Sequence, residues 1–277
     1  MFQYAYIKAL SLRTGQDFMI DIHEFQTYKL HKYCLEFLTI KKNYAKTSEI
    51  PRYERLYSTN RYIQFLLIKL RWICKAINPS HYTEKQFNFD QDFMDVVSWY
   101  IEWYFQTEKY FIDYEDEIRS DFVFVLPPSQ KNWEMIQVIA WCNSVSIHIR
   151  RWDYLQGNNP NYHGICGLDY YHRAIDIITS KIDDPVFFVF SDDIERVKDN
   201  LKIDNAHYID RNTAETNYED MRLMSHCQHN IIANSSFSRW WAWLNNNPDK
   251  MVIVPQRWFA DEKRNSKDII PTTWVKI

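Results

Sequence analysis

Val145-Ser146-Ile147-His148-Ile149-Arg150-Arg151-Trp152-Asp153-Tyr154 is a strand followed by the turn that leaves it. Val145, Ile147 and Ile149 alternate as β-branched apolar residues and suit one buried face. Ser146, His148 and Arg150 share the opposite face, where a histidine and an arginine call for a charged partner. Ligands of open α/β sheets sit beyond the carboxyl ends of strands. Adjacent arginines at such an end read as an anion site, because guanidinium forks match phosphate oxygens.

Working outward, the residues after this stretch alternate strand and helix. A helix begins near Asp169-Tyr170-Tyr171, and Val186-Phe187-Phe188-Val189-Phe190 has the length and content of a buried parallel strand. A helix over 193–201, a strand at 206–209, a helix over 217–228 and a strand at Ile231-Ile232-Ala233 follow. A helix over 236–246 and the strand Met251-Val252-Ile253-Val254 close the series. Strict alternation predicts a doubly wound parallel sheet. In the first half, Met1–Thr14 is helical in pattern and stops at Gly15, Asp17–Ile22 reads as a strand, and Arg61–Ile77 as a long amphipathic helix. Pro127-Pro128 marks a hinge region. The domain boundary is placed after residue 140, giving an acceptor-side domain over 1–140 and a donor-binding domain over 141–277.

Composition sets bounds. The 277 residues are 46% apolar and 25% charged, with a net charge of −3, which argues for a globular protein without a general basic field for nucleic acid. Five widely spaced cysteines suit free thiols in a reducing compartment, so a cytoplasmic location is expected. No run of about 18 apolar residues suggests a membrane span. Glycine occurs only four times and tryptophan eleven, although tight strand-to-helix turns ordinarily use glycine.

Three stretches carry candidate chemistry. Beside His148–Asp153, Ser191-Asp192-Asp193 follows the most apolar strand, where a carboxylate can accept donors from a base edge or ribose, or Asp192 can cap the next helix with Glu195. Asn234-Ser235-Ser236 leads into a helix, where backbone N–H groups and hydroxyls bind phosphate, although serines there also serve as ordinary caps. Asp90-Gln91-Asp92 is a lone acidic triplet in polar surroundings, the His226/His229 pair lacks a third ligand, and no metal is expected. For Arg61–Ile77 a core-packed helix with a solvated basic edge is expected over a membrane-surface helix.

Taken together, these stretches resemble the bacterial α-1,2-fucosyltransferases of glycosyltransferase family 11. The likeness runs through Met1–Ala5, Gln106–Phe111, His148–Asp153, His163–Cys166, Phe190–Asp193 and His229–Ser238 with Trp243-Leu244. The resemblance implies a GT-B fold of two Rossmann-like domains with parallel sheets. It implies fucose transfer with inversion from GDP-fucose to a galactoside 2-hydroxyl, with no cofactor and no metal. Arg150 would neutralise the leaving diphosphate, with Arg151 beside it. His148 and Asp192 would meet the guanine and Ser235 and Ser236 the phosphates, with Asp193 and Asn234 also among the donor-binding residues. Asp153 is a candidate base. The implied partners are GDP-fucose and a galactose-terminated glycan, with peripheral contact at the inner membrane surface. A catalytically impaired nucleotide- or glycan-binding relative is the alternative.

The chain departs from the family pattern in two ways. The family's first strand and Gly-Gly-x-Gly-Asn-Gln loop would precede Met1, so an incomplete N-terminal domain is expected. Trp103, Trp152 and Trp241 stand where glycine is expected, and Arg196, Arg211 and Arg239 where tryptophan is. A UGA codon meaning glycine but read as tryptophan, and a CGG or CGA codon meaning tryptophan but read as arginine, produce this pattern. That reading predicts TGA at codons 103, 152 and 241.

Overall fold

The computed structural model describes residues 1–26, 33–58, 60–84, 86–96, 100–150, 166–213, 215–261 and 264–277. The chain divides into two compact units, Met1–Val125 and Leu126–Ile277. The division falls just before the Pro127-Pro128 hinge and not after residue 140, the boundary expected from the sequence.

In the first unit, α1 (Phe2–Thr14) ends at Gly15, whose φ of 71° lets its N–H reach the Ser11 carbonyl at 2.9 Å. Tyr6 of α1 stacks on Phe105 at 4.1 Å and meets Tyr110 edge-on. The stretch 17–22 forms no strand; Ile20 makes a lone parallel bridge to Tyr44. Its aspartates explain this. Asp17 accepts the Phe18 N–H and Asp21 the His23 N–H, side-chain bonds that compete with a ladder.

The helix α2 (Arg61–Ile77) has the bounds the pattern predicts, capped by Asn60, which accepts from the Tyr62 and Ile63 N–H groups. It is not core-packed: none of its residues is buried. The short parallel pair β1 (His81–Thr83) and β2 (Tyr100–Glu102) follows, then α3 (Glu115–Asp121). Just after β2, Trp103 has φ 128°, a conformation that glycine adopts freely and L side chains rarely do. Its indole Nε1 is buried without a hydrogen-bond partner. Trp103→Gly should therefore be more stable than Trp103→Ala by about 1–2 kcal/mol in urea unfolding. Alanine removes the ring but keeps the strain, so equal stabilities would rule out strain at this position.

Glu84, 2% exposed, accepts from the Phe105 N–H at 2.9 Å and the Tyr110 hydroxyl at 3.1 Å. Burial pushes its carboxyl up to about 7. A carboxyl raised in the folded state stabilises fully below the unfolded pKa, and that contribution is lost as pH rises through about 7. Between pH 5 and 8, Glu84→Gln should gain up to roughly 3 kcal/mol relative to wild type. Parallel stability profiles for the two proteins would contradict this.

The second unit begins with α4 (Gln130–Ala140), a helix the sequence reading did not predict, capped by Ser129. β3 (Asn143–Ile149), α5 (Leu168–Thr179), β4 (Pro185–Ser191), α6 (Ile194–Asn200) and β5 (Ala206–Ile209) then alternate. Among the described residues α7 (Asn217–His226), β6 (His229–Ile231), α8 (Ser236–Leu244), β7 (Val252–Val254) and β8 (Val275–Lys276) follow. The six strands are all parallel and run in the order β5-β4-β3-β6-β7-β8. This is the doubly wound, Rossmann-like order, with its switch point between β3 and β6.

Val145, Ile147 and Ile149 face α5 and α6 through Tyr171, Ala174, Ile178 and Val197. The other face of β3 is also buried. There Ser146 Oγ accepts from Asn230 Nδ2 at 2.7 Å, and Asn245 Nδ2 donates to Asn230 Oδ1 at 2.8 Å. Trp241 and Arg239 of α8 are each 1% exposed. The Trp241 Nε1 has no hydrogen-bond partner. Arg196 and Arg211 are exposed, and Arg211 donates to the Lys131 carbonyl. Trp152 lies outside the described residues.

Candidate active site

β3 and β6 lie side by side and parallel at the centre of the sheet, and from them the following strands are added on opposite sides, β4 next to β3 and β7 next to β6, so their carboxyl ends frame the switch point. Register fixes what lies there: Ile147 of β3 pairs with Ile231 of β6, and His148 and Ile149 pair with Phe190 and Ser191 of β4. His148 and Arg150 thus reach the carboxyl edge beside Asp192 on one side and Asn234-Ser235-Ser236 on the other. Arg150 is half-buried, and its guanidinium donates to Ser235 Oγ at 3.1 Å. Ser235 is the N-cap residue of α8, yet its side chain makes no capping hydrogen bond. The hydroxyl that would close the helix end is turned to Arg150 instead. A helix N-terminus not capped by a side chain, with a guanidinium beside it, concentrates positive potential and N–H donors at one point.

Neighbouring groups hold this edge in place. Tyr171 of α5 donates to the His148 carbonyl at 3.2 Å, and Tyr170 donates to the carbonyls of Ile232 and Ile253 at 2.7 and 3.1 Å. One helical turn therefore pins the ends of β3, β6 and β7. Asn234, 4% exposed, donates to the Trp258 carbonyl at 3.2 Å and accepts from Cys166 Sγ at 3.4 Å. Burial pushes the Cys166 thiol up to about 11, which keeps it a donor. The His148 ring lies 5.5 Å from that of Phe237 in the first turn of α8. The sequence marks Tyr170-Tyr171 only as a helix start; these tethers are seen in the structure alone.

The predicted residues separate as follows. His148, Arg150, Asn234 and Ser235 come together, and Ser236 is exposed as the first helical residue of α8. Asp192 is exposed at the end of β4. Asp193, not Asp192, is the N-cap of α6, and its N–H is held by Ser191 Oγ at 3.1 Å. Arg151 and Asp153 lie outside the described residues. His226 Nδ1 meets the Arg222 carbonyl, and His229 Nδ1 accepts the Met251 N–H, so backbone groups occupy both rings. Asp90 caps its own turn by accepting from the Asp92 N–H. The five cysteines form no disulfide.

A second polar cluster, unread in the sequence, lies in the first unit. Glu54, His81 and Glu102 converge there, with the Lys75 ammonium on both carboxylates and the Tyr53 hydroxyl on His81. Burial opposes charge on Glu102, but hydrogen bonds from His81 and Lys75 bring its carboxyl down to about 2. The ammonium supplies the charge that a cation would otherwise bring.

The family model for glycosyl transferase family 11 matches residues 60–277. The chain belongs to that family. It is 33% identical over 288 residues to an α-1,2-colitosyltransferase of Escherichia coli, covering 100% of this chain and 94% of that protein. It is 39% identical over 140 residues to the O-antigen biosynthesis glycosyltransferase WbnK of the same organism, covering 49% of this chain and 45% of that one. Human galactoside α-(1,2)-fucosyltransferase 1 is 31% identical over 103 residues, 36% of this chain and 28% of the human protein. The protein is thus a glycosyltransferase. Among the described residues, no helix is long and apolar enough to cross a membrane.

Proposed function

We propose that this family 11 glycosyltransferase moves L-fucose from GDP-fucose to the 2-hydroxyl of a terminal galactoside on a glycan or lipopolysaccharide precursor, inverting the sugar's C1. The observation that carries this is the Arg150–Ser235 contact at the first turn of α8, which has no side-chain cap, at the switch point. In this reading the acceptor oxygen bonds to C1 on the face opposite the C1–O bond to GDP. That bond breaks, its electron pair stays on the diphosphate, and the acceptor proton passes to a base. Charge grows on the diphosphate as the bond opens, and fixed donors directed at it lower the barrier. Arg150, joined by Arg151, takes that role, together with the N–H groups of α8 and the hydroxyls of Ser235 and Ser236. Asn234 steadies the loop. His148, Asp192 and Asp193 face the nucleoside, and Asp153 is the assigned base. The reaction needs no metal or other cofactor, since protein cations supply the positive charge.

The reading places the donor in the second unit of a GT-B pair and the acceptor on the first, in the cytoplasm at the inner membrane face. The names of the bacterial and human relatives support an α-1,2 linkage and a galactoside acceptor. A colitosyl donor is the second reading, favoured by the full-length likeness to the colitosyltransferase. The deciding assay offers GDP-fucose, or the matching colitose donor, with a galactose-terminated acceptor in the presence of EDTA. Fucosylation at the 2-hydroxyl that EDTA leaves undiminished is expected. Transfer of colitose alone selects the second reading, and GDP binding without transfer of either sugar selects the impaired relative.

A further inference from the structure

α2 is an inside-out helix. Its half-buried stripe is Gln64, Leu67, Arg71, Cys74 and Lys75, spaced three and four apart and mostly polar. That stripe is tied down: Gln64 Oε1 accepts from the Ser58 N–H, Arg71 pairs with Glu24, and Lys75 with Glu54 and Glu102. The outward face is the apolar one. Tyr62 is 84% exposed, Leu66 64%, Trp72 72% and Ile77 74%, with Phe65 and Ile73 between them. A surface helix ordinarily turns its apolar stripe to the core, so this face is built for something outside the chain.

Charge identifies the occupant. From Ile50 to Thr83 the sole acidic residue is Glu54, which is 2% exposed, whereas Arg52, Arg55, Arg61 and Lys69 are all exposed. Arg61 stands at the positive end of the helix dipole, where a cation does not favour the helix. The Lys69 ammonium lies 4.6 Å from the Phe65 ring centre, so cation and apolar surface are presented together. A second copy docked face to face would set these cations against their own kind, at a cost. An anionic bilayer meets both features: tryptophan and tyrosine suit its interface, and basic residues its headgroups. The helix, about 25 Å long at 1.5 Å per residue, is of a length that lies in an interface plane.

We infer that α2 docks this protein onto an anionic membrane surface through Phe65, Leu66, Trp72 and Ile77, with Arg61 and Lys69 on lipid phosphates. This deepens the membrane-face placement in the proposed function by naming the surface that makes the contact, and it does not depend on the donor chemistry. The test is flotation of the full chain with vesicles of phosphatidylcholine alone or mixed equally with phosphatidylglycerol, plus light scattering across protein concentrations. Wild type should float with the mixed vesicles and be released by salt. Arg61→Gln with Lys69→Gln should weaken that binding by about thirtyfold. Leu66→Ser with Trp72→Ser should abolish it, while the helical circular dichroism and urea midpoint of the full chain stay those of wild type and report an intact fold. Wild type that floats with neither vesicle overturns the inference. A concentration-dependent dimer that the Leu66/Trp72 variant dissociates also overturns it, in favour of a second copy.

Discussion

Arg150→Ala is expected to lower the transfer rate by about 10²–10³-fold, the scale for removing one fixed donor from a developing oxyanion. The position makes the effect large. Arg150 follows β3 directly, beside the switch point, and its backbone is held by a strand paired on both sides. Its guanidinium is already oriented by Ser235 before any donor binds, so little reorganisation opposes it during bond cleavage. Lysine keeps the charge but not the planar fork, so Arg150→Lys should recover only part of the rate. Ser235→Ala removes the orienting hydroxyl while leaving the cation, and should cost less than Arg150→Ala. Steady-state rates of the three variants check the order, and an Arg150→Ala enzyme within threefold of wild type would contradict it.

Arg222→Leu should destabilise the second unit by about 3–5 kcal/mol, the range for breaking a buried ion pair from one side. Arg222 and Glu219 of α7 are 7% and 4% exposed, their charges are 3.2 Å apart, and Arg222 also donates to the Leu126 carbonyl at 2.7 Å. Burial already pushes the Glu219 carboxyl up and the Arg222 guanidinium down. Without its partner, the Glu219 carboxylate is left charged in a desolvated place. Adding Glu219→Gln should therefore recover much of the loss, giving a non-additive cycle. Denaturant midpoints of the four proteins test this, and simple additivity would count against the pairing.

The sequence made the second unit legible because its strands are short apolar runs buried on both faces, separated by helices of clear period. Strand 206–209 was read with the bounds the structure gives, and β3 within two residues. α4 escaped because Pro127-Pro128 was read as a hinge, with no element assigned between it and β3. β8 is two residues long and leaves no periodic signal. In the first unit the 17–22 stretch alternates like a strand, but Asp17 and Asp21 bind nearby backbone and side chains. α2 was read correctly as a helix but with the wrong face inward. Periodicity reports a stripe, whereas Glu24, Glu54 and Glu102, remote in sequence, decide which side is held. In the candidate site, residue types marked Arg150, Ser235 and Asn234. The tyrosine tethers and the unused cap of Ser235 depend on rotamers that no pattern encodes.

The most direct test of the account is calorimetric titration of GDP into the full chain and into Arg150→Ala. If the guanidinium and the α8 N-terminus together hold the diphosphate, the substitution should weaken binding by about 10–100-fold, the scale of a lost charge-assisted hydrogen bond. An unchanged dissociation constant in a folded variant would contradict it.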